Sequence, residues 1–135
     1  MKNNLPSISL VIPVYNSEHS LKPLLEKIHE VLPSISSEYE VLLVNDGSPD
    51  GSWQVVRELE EANEHVIGTN LMRNYGQHNA LLCGIRQARY DLVVTLDDDL
   101  QHDPALIPQL INELNKGFEV VYGAPQTERH GLFRD

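Results

Sequence analysis

Short apolar segments alternate with helical patterns along most of the chain, and this alternation restricts the fold more than any other feature. The apolar segments are rich in β-branched and aliphatic residues and are short enough to be buried strands. The segments between them repeat apolar residues at helical spacing. Strands and helices that alternate in this way predict an α/β fold with a doubly wound, mostly parallel sheet and right-handed crossovers. The predicted strands are Ile8–Tyr15, Tyr39–Asn45, Val66–Leu71, Asp91–Asp97 and Phe118–Gly123.

The predicted helices occupy the intervals between these strands. Ser17 or Ser20 is expected to cap the first helix, and the stretch from Pro33 to Glu38 is predicted to be a short polar link. Pro13 has no N–H to donate, so it should mark the end of the first strand. The helices are predicted from about Leu21 to Leu32, from Asp50 or Ser52 to Ala62, from Gln77 to Ala88 and from Pro104 to Leu114.

The fourth predicted strand runs into three consecutive carboxylates, Asp97, Asp98 and Asp99. A buried strand cannot hold like charges without partners, so we expect them at its open C-terminal end, where α/β sheets bind ligands. Side chains alternate along an extended chain, so Asp97, Asp99 and Gln101 can share one side. Their hard oxygen atoms suit Mg²⁺ or Mn²⁺. The alternative is a solvated acidic turn before a helix capped by Asp103, and the loop motifs favour the metal site.

The loops after the other predicted strands carry a complementary set of side chains. Such loops meet at one edge of a parallel sheet. Tyr15 offers an aromatic face to a flat ring, and Asp46 can accept a hydrogen bond from a base or a ribose. Arg73 can neutralise a phosphate, as can a metal ion held by Asp97 and Asp99. The set predicts a site for a nucleotide diphosphate.

Motifs of several competing functions are missing from the sequence. It contains no P-loop, and no Gly-x-Gly-x-x-Gly follows the first strand. The histidines do not show the spacing of a zinc site. The turn that begins at Asp46 resembles a calcium loop, but Arg57 stands where that loop requires a glutamate. These observations argue against the P-loop, dinucleotide, zinc and calcium classes.

Composition and charge indicate one globular domain, residues 1–135, with 41% hydrophobic and 22% charged residues. The net charge of −10 argues against a nucleic-acid partner, which would need clustered Lys and Arg. No secretory signal or apolar run of membrane-spanning length is visible, so we expect a cytoplasmic chain. The single cysteine, Cys83, is predicted to be a small buried residue of a helix.

Four motifs in this order resemble those of family 2 glycosyltransferases, which have the GT-A fold, a Rossmann-like nucleotide-sugar-binding domain. Within that family, the pattern is similar to the polyprenyl-phosphate branch, which includes dolichyl-phosphate mannose synthases and undecaprenyl-phosphate sugar transferases. The resemblance covers roughly Ser7 to Asp135. The motifs are Ile12-Pro13-Val14-Tyr15-Asn16, Val44-Asn45-Asp46-Gly47-Ser48, Arg73-Asn74-Tyr75-Gly76-Gln77-His78 and Leu96-Asp97-Asp98-Asp99-Leu100-Gln101.

On the nucleoside side, the resemblance implies that Pro13, Tyr15 and Glu18 help to seat the nucleoside and that Asp46 contacts the base. The chain departs from the family pattern at Ser17, where the family often has glutamate, so that Glu18 comes one residue late. We therefore expect the nucleoside to lie against the loops that follow the first two strands.

On the diphosphate side, the resemblance implies that Asp97 faces the nucleotide and that Asp99 binds Mg²⁺ or Mn²⁺, with Gln101 completing the metal shell. Arg73 is expected near the diphosphate, so the catalytic set is Asp97, Asp99 and Arg73. The chain has Asn45 where many members have another aspartate.

The resemblance implies inverting, metal-dependent transfer of a sugar from a UDP- or GDP-sugar to a polyprenyl phosphate, in cell-wall or lipopolysaccharide biosynthesis. It also implies that the general base and the helices that reach the membrane's cytoplasmic face lie beyond Asp135. A polysaccharide or other non-lipid acceptor and a non-catalytic nucleotide-binding module are the alternatives. The sequence leaves the sugar, the nucleotide and homo-oligomer formation open.

Overall fold

The computed structural model describes residues 5–96, residue 98 and, by their backbone, residues 120–122. Its strands are β1 Ser7–Val14, β2 Glu38–Asn45, β3 Val66–Asn70, β4 Leu92–Thr95 and β5 Val120–Tyr122. Its helices are α1 Leu21–Ile35, α2 Ser52–Ala62 and α3 Gln77–Gln87. The strands form one parallel sheet in the order β3-β2-β1-β4-β5. The predicted helix from Pro104 to Leu114 lies outside the described residues.

Helices cover both faces of this sheet, which confirms the predicted doubly wound architecture. On one face, α1 and α2 pack against alternate residues of β1 and β2, including Leu10 and Leu43. On the other face, α3 comes so close that a Cβ on Gly84 would lie 2.5 Å from the Val11 side chain and 3.2 Å from that of Val44. The sheet is therefore buried on both sides, as its continuous apolar strands require.

The first helix is longer than predicted, because α1 continues through Pro33 to Ile35 where a polar link was expected. Ile35 packs against the hydrophobic core, which favours the additional turn. Ser36 Oγ donates a hydrogen bond to the Leu32 carbonyl at 2.6 Å, and Ser34 Oγ donates one to the Val31 carbonyl at 2.9 Å. These hydroxyls satisfy last-turn carbonyls that would otherwise have no partner.

Two single-residue predictions had different outcomes. Pro13 lies one residue before the end of β1, near the strand end that it was predicted to mark. Pairing between β1 and β4 has already ended at Val11, so the missing N–H of Pro13 removes no hydrogen bond to β4.

Cys83 is only half-buried in α3, where Gln87 Nε2 lies 3.7 Å from its sulfur. The expectation that it is fully buried was therefore wrong.

No helix in the described ranges is long and apolar enough to cross a membrane.

Candidate functional site

Connections between neighbouring strands bring the loops after β1, β2 and β3 to one edge of the sheet, together with the residues that follow β4. The Asp46 amide donates to the Val14 carbonyl at 2.9 Å, and the Leu71 amide donates to the Asn45 carbonyl at 2.9 Å. The Leu96 amide donates to the Val11 carbonyl at 3.1 Å. We call this the carboxyl edge, because all the parallel strands end there.

Asp46 is almost fully buried at the carboxyl edge and holds the loop between β3 and α3. Its Oδ1 accepts a hydrogen bond from the Tyr75 amide at 2.8 Å, and its Oδ2 accepts one from the Gly76 amide at 3.2 Å. The next residue, Gly47, has φ +68°, and a Cβ there would lie 2.3 Å from the Asn74 nitrogen. Only glycine fits this backbone position, so the two loops are in direct contact.

Arg73 lies on the loop that Asp46 holds, and its side chain is exposed. Its guanidinium carbon is 5.1 Å from the centroid of the Tyr75 ring, within the range of a cation–π contact. The Tyr75 amide is one of the donors to Asp46. Through these contacts, Asp46 positions a cationic side chain at the carboxyl edge, where it can meet an anion.

The loop between β1 and α1 is fastened to residue 98. Asp98 Oδ2 accepts a hydrogen bond from the Tyr15 amide at 2.9 Å and another from the Ser17 hydroxyl. The Ser20 hydroxyl donates to the Asp98 carbonyl at 2.8 Å. Ser20 is the N-cap residue of α1, yet its side chain makes no capping hydrogen bond, and neither does Ser17 cap the helix as predicted. The Tyr15 ring remains 44% exposed beside these contacts.

Glu18 links the loop after β1 to the loop after β2. Its Oε1 accepts a hydrogen bond from the Gly51 amide at 2.8 Å, while its own amide donates to Asp50 Oδ2 at 3.3 Å. Burial opposes ionisation of Asp50, but hydrogen bonds from Ser52 and from the Glu18 amide outweigh it and hold the pKa of Asp50 below its usual value. Asp50 therefore stays ionised at neutral pH, where it can keep these hydrogen bonds.

A set of small polar side chains completes the loop contacts, and sequence reasoning missed it. Asn45 Nδ2 donates to Asn70 Oδ1 at 2.8 Å, and Asn45 Oδ1 accepts from the Ser48 hydroxyl at 2.6 Å. The Asn16 amide donates to Ser48 Oγ at 3.1 Å, and Asn16 itself has a left-handed φ of 54°. The available signal was the density of Ser and Asn in the turns, residue types that bond to nearby backbone.

Comparison with known proteins identifies the family of this chain. Residues 9–134 match the model of the family described as Glycosyl transferase family 2. The chain belongs to glycosyltransferase family 2. Both the family resemblance read from its loop motifs and its predicted fold class are confirmed.

Relatives of this chain include two bacterial proteins named undecaprenyl-phosphate 4-deoxy-4-formamido-L-arabinose transferase. The one from Salmonella choleraesuis strain SC-B67 is 41% identical over 131 residues, which is 96% of this chain and 40% of the relative. The one from Klebsiella pneumoniae strain 342 is 41% identical over 128 residues, which is 94% of this chain and 39% of the relative. The chain thus spans about 40% of the length of these relatives.

Solved structures similar to this chain have the same fold. The mannosyltransferase PcManGT from Pyrobaculum calidifontis, in complex with GDP-Man and Mn²⁺, matches with a TM-score of 0.62 and 25% identity, over 70% of this chain and 28% of that one. S. aureus TarS, in complex with UDP, matches with a TM-score of 0.66 and 20% identity, over 96% of this chain and 40% of that one. Both likenesses agree with the GT-A-like α/β architecture.

The structure brings most of the predicted site residues that it describes to the carboxyl edge. Tyr15, Glu18, Asp46 and Arg73 lie on loops that contact one another there, whereas Pro13 is buried inside β1. The roles of all these residues in donor binding stay predictions. The residues predicted to face the nucleotide or bind the metal ion after β4, Asp97, Asp99 and Gln101, lie outside the described residues. Among the residues that are described, no group of three or more His, Cys, Asp or Glu could hold a metal ion.

Proposed function

We propose that this chain binds the donor of an inverting, metal-dependent glycosyltransferase, which moves a sugar from a nucleotide diphosphate to a polyprenyl phosphate. The observation that supports it most is that the loops of two exposed side chains, the aromatic Tyr15 and the cationic Arg73, lie at the same edge of the sheet as the acidic motif. Asp98 lies against the loop of Tyr15, and Asp46 holds the loop of Arg73. The relatives named undecaprenyl-phosphate transferases favour a polyprenyl phosphate acceptor.

Asp97, Asp99 and Gln101 would hold the metal ion in this proposal. Carboxylate and amide oxygen atoms are the ligands that Mg²⁺ and Mn²⁺ prefer, and Asp98, within the same motif, reaches the carboxyl edge. The similar mannosyltransferase was solved in complex with GDP-Man and Mn²⁺, which agrees with a divalent ion beside a nucleotide sugar. Such an ion would stabilise the negative charge that develops on the leaving diphosphate.

The described side chains would bind and orient the rest of the donor. The exposed Tyr15 ring would stack against the base, and Asp46 would fix the base position together with the loop that it already holds. Arg73 would lie near the diphosphate and add positive charge to the site. A phosphate monoester acceptor has a second pKa of about 6, so it is largely ionised at neutral pH and needs little help from a base.

Calorimetry with UDP- and GDP-sugars, each with and without Mn²⁺, tests this proposal. We expect one nucleotide to bind in a Mn²⁺-dependent manner, and Asp97→Ala and Asp99→Ala each to abolish that dependence. Asp91→Ala is the matched control, because it removes one carboxylate from the exposed start of the same strand segment. If Asp97→Ala and Asp99→Ala both bound donor and Mn²⁺ as the wild type does, the metal assignment would be wrong.

A transfer assay separates the acceptor classes. With a protein that contains this chain at the full length of its relatives, we expect radiolabelled sugar to move onto undecaprenyl phosphate in detergent. Transfer to a polysaccharide but not to the lipid would contradict the proposed acceptor while leaving donor binding intact. Hydrolysis of the donor without either acceptor would exclude a purely nucleotide-binding role.

A further inference from the structure

We propose that Asp98, the middle carboxylate of the acidic motif, is a positioning residue that fastens the loop of Tyr15 to the end of β4. This inference rests on the proposed function for its effect on donor binding, but the contact itself is independent of it. The family motif assigns roles to Asp97 and Asp99 and leaves Asp98 without one. In the structure, Asp98 contacts the loop between β1 and α1.

Several contacts converge from that loop on this one residue. The Tyr15 amide and the Ser17 hydroxyl both donate to the same carboxylate oxygen, Oδ2, and the Ser20 hydroxyl donates to the backbone carbonyl of Asp98. The side chain and the main chain of Asp98 are therefore held at once. Hydrogen bonds to a carboxylate are charge-assisted and stronger than those to a neutral acceptor, so these contacts can hold the loop firmly.

The other side of the same loop is fastened independently to the loop after β2. The Ser17 amide donates to Ser52 Oγ at 2.7 Å, and the Asn16 amide donates to Ser48 Oγ at 3.1 Å. The loop after β1 therefore lies between two neighbours, and Asp98 supplies its contact with the β4 side. The Ser17 hydroxyl donates to the Asp98 carboxylate and the Ser20 hydroxyl to the Asp98 carbonyl, while Ser20 makes no side-chain capping bond at the start of α1.

Fastening the two segments together has a consequence for binding. In the proposed site, Tyr15 contacts the base, while Asp97 and Asp99 contact the diphosphate through the metal. A donor that spans both segments binds best when their separation is fixed before it arrives, since less conformational freedom is then lost. Asp98 therefore raises affinity for the complete donor with Mn²⁺ more than it raises affinity for Mn²⁺ alone.

Hydrogen exchange of the Tyr15 amide in the ligand-free protein tests the contact directly. We expect Asp98→Ala to speed exchange by about tenfold or more, as the loss of a hydrogen bond to a charged acceptor implies. Asp98→Asn retains an oxygen that can accept from both donors, so its exchange should lie between the alanine variant and the wild type. Asp91→Ala, the charge-matched control, should exchange as the wild type does. An unchanged Tyr15 amide in a folded Asp98→Ala protein would overturn the proposal.

Ser17→Ala tests the same contact from the loop, should Asp98→Ala fail to fold. It removes one of the donors to Asp98 while leaving the acidic motif intact, so Tyr15 exchange should speed up by a few-fold. A Tyr15 amide that exchanges as slowly in Ser17→Ala as in the wild type would count against the contact. A matched Ser34→Ala variant at the exposed end of α1 should leave Tyr15 exchange unchanged.

Calorimetry on the same variants distinguishes this inference from the proposed function. We expect Asp98→Ala to weaken binding of the Mn²⁺–donor complex by about tenfold and Mn²⁺ alone much less. If the wild type binds no donor while Tyr15 exchange responds, the contact stands and the proposed function is wrong. If donor binds and Asp98→Ala loses Mn²⁺ as completely as Asp99→Ala with Tyr15 exchange unchanged, Asp98 is a metal ligand and the positioning role is wrong.

Discussion

The two edges of the sheet treat buried negative charge differently. At the amino edge, where the strands begin, the Glu40 side chain is 1% exposed, and its Oε1 accepts from Arg89 Nε at 2.9 Å. Its Oε2 accepts from the Ser9 hydroxyl at 2.7 Å and from the Arg89 amide at 2.9 Å. At the carboxyl edge, the equally buried Asp46 accepts from backbone amides. One carboxylate is neutralised by a cation and the other is held by neutral donors.

This difference teaches which edge is built for stability and which for binding. The Glu40 carboxylate is paired with a cation and accepts hydrogen bonds on both oxygens, so it has little capacity left to bind a ligand. Asp46 and Glu18 accept from backbone amides, and in these contacts neither is paired with a cationic side chain, so the carboxyl edge can attract cations. A net charge of −10 adds to that attraction. A divalent ion beside the acidic motif would relieve the repulsion between these groups.

Glu40→Ala should produce the largest loss of stability and so test the closed nature of the amino edge. It leaves the Ser9 hydroxyl and the Arg89 amide without their acceptor and opens a small cavity, which together cost about 3 kcal/mol of unfolding free energy. Urea unfolding followed by circular dichroism measures it. Glu38→Ala is the control, because it removes the same charge from the exposed first residue of the same strand. Donor affinity of the folded Glu40→Ala fraction should not change.

Asp46→Asn should have the opposite profile, a smaller loss of stability of about 1–2 kcal/mol and a loss of donor affinity of about tenfold or more. The amide turns an N–H toward the Tyr75 or Gly76 amide in place of an acceptor, so the loop that carries Arg73 loosens. Urea unfolding and calorimetry on the same protein measure both effects. Glu40→Gln makes the same change at the amino edge. If Glu40→Gln weakened donor binding as much as Asp46→Asn, the two edges would not differ in function.

Much of the fold could be predicted from the sequence, because β-branched runs and helical periodicity are local signals. The strands that the structure describes lie within a few residues of their predicted ranges, and their parallel pairing follows from the alternation. The end of α1 was missed because Pro33 is a strong local stop signal, and the packing of Ile35 overrides it. Local patterns do not report tertiary contacts of this kind.

The gathering of site loops could also be predicted, since parallel strands deliver their C-terminal loops to one edge. The partners of individual side chains could not. Asp46 bonds to amides about 30 residues away, and Asp98 bonds to a loop about 80 residues away, each through backbone groups that every residue carries. A backbone amide leaves no signature in a sequence. The burial of Glu40 could not be predicted either, because one of its partners is the backbone amide of the distant Arg89.

The amino edge also contains a cluster of aromatic side chains, in which Tyr39 is buried and His29 and His65 are half-buried. His29 Nδ1 and the Tyr39 hydroxyl are 2.8 Å apart, and the His65 ring stacks on Tyr39 with centroids 4.2 Å apart. His29 Nε2 is buried and has no hydrogen-bond partner within the described part of the chain. Burial, and then the charge of His65, lower the pKa of His29 from 6.5, and the nearby Asn63 side chain only partly offsets this. His29 is therefore held in its neutral form.

Acidification should weaken this edge, the smallest effect that we predict. Above a pH of about 6.5, His29 is neutral in both the folded and the unfolded chain and its contribution is complete. As the pH falls below that value, the unfolded chain binds the proton first, so the unfolding free energy declines until the lowered pKa of the folded state is reached. His29→Gln keeps a group that can bond to the Tyr39 hydroxyl but does not titrate, so its urea midpoint should depend less on pH between about 5 and 8. His19→Gln, at a side chain 93% exposed, should keep the wild-type pH dependence. If the urea midpoint of His29→Gln changed with pH as steeply as that of the wild type, protonation of His29 would not be what weakens the amino edge.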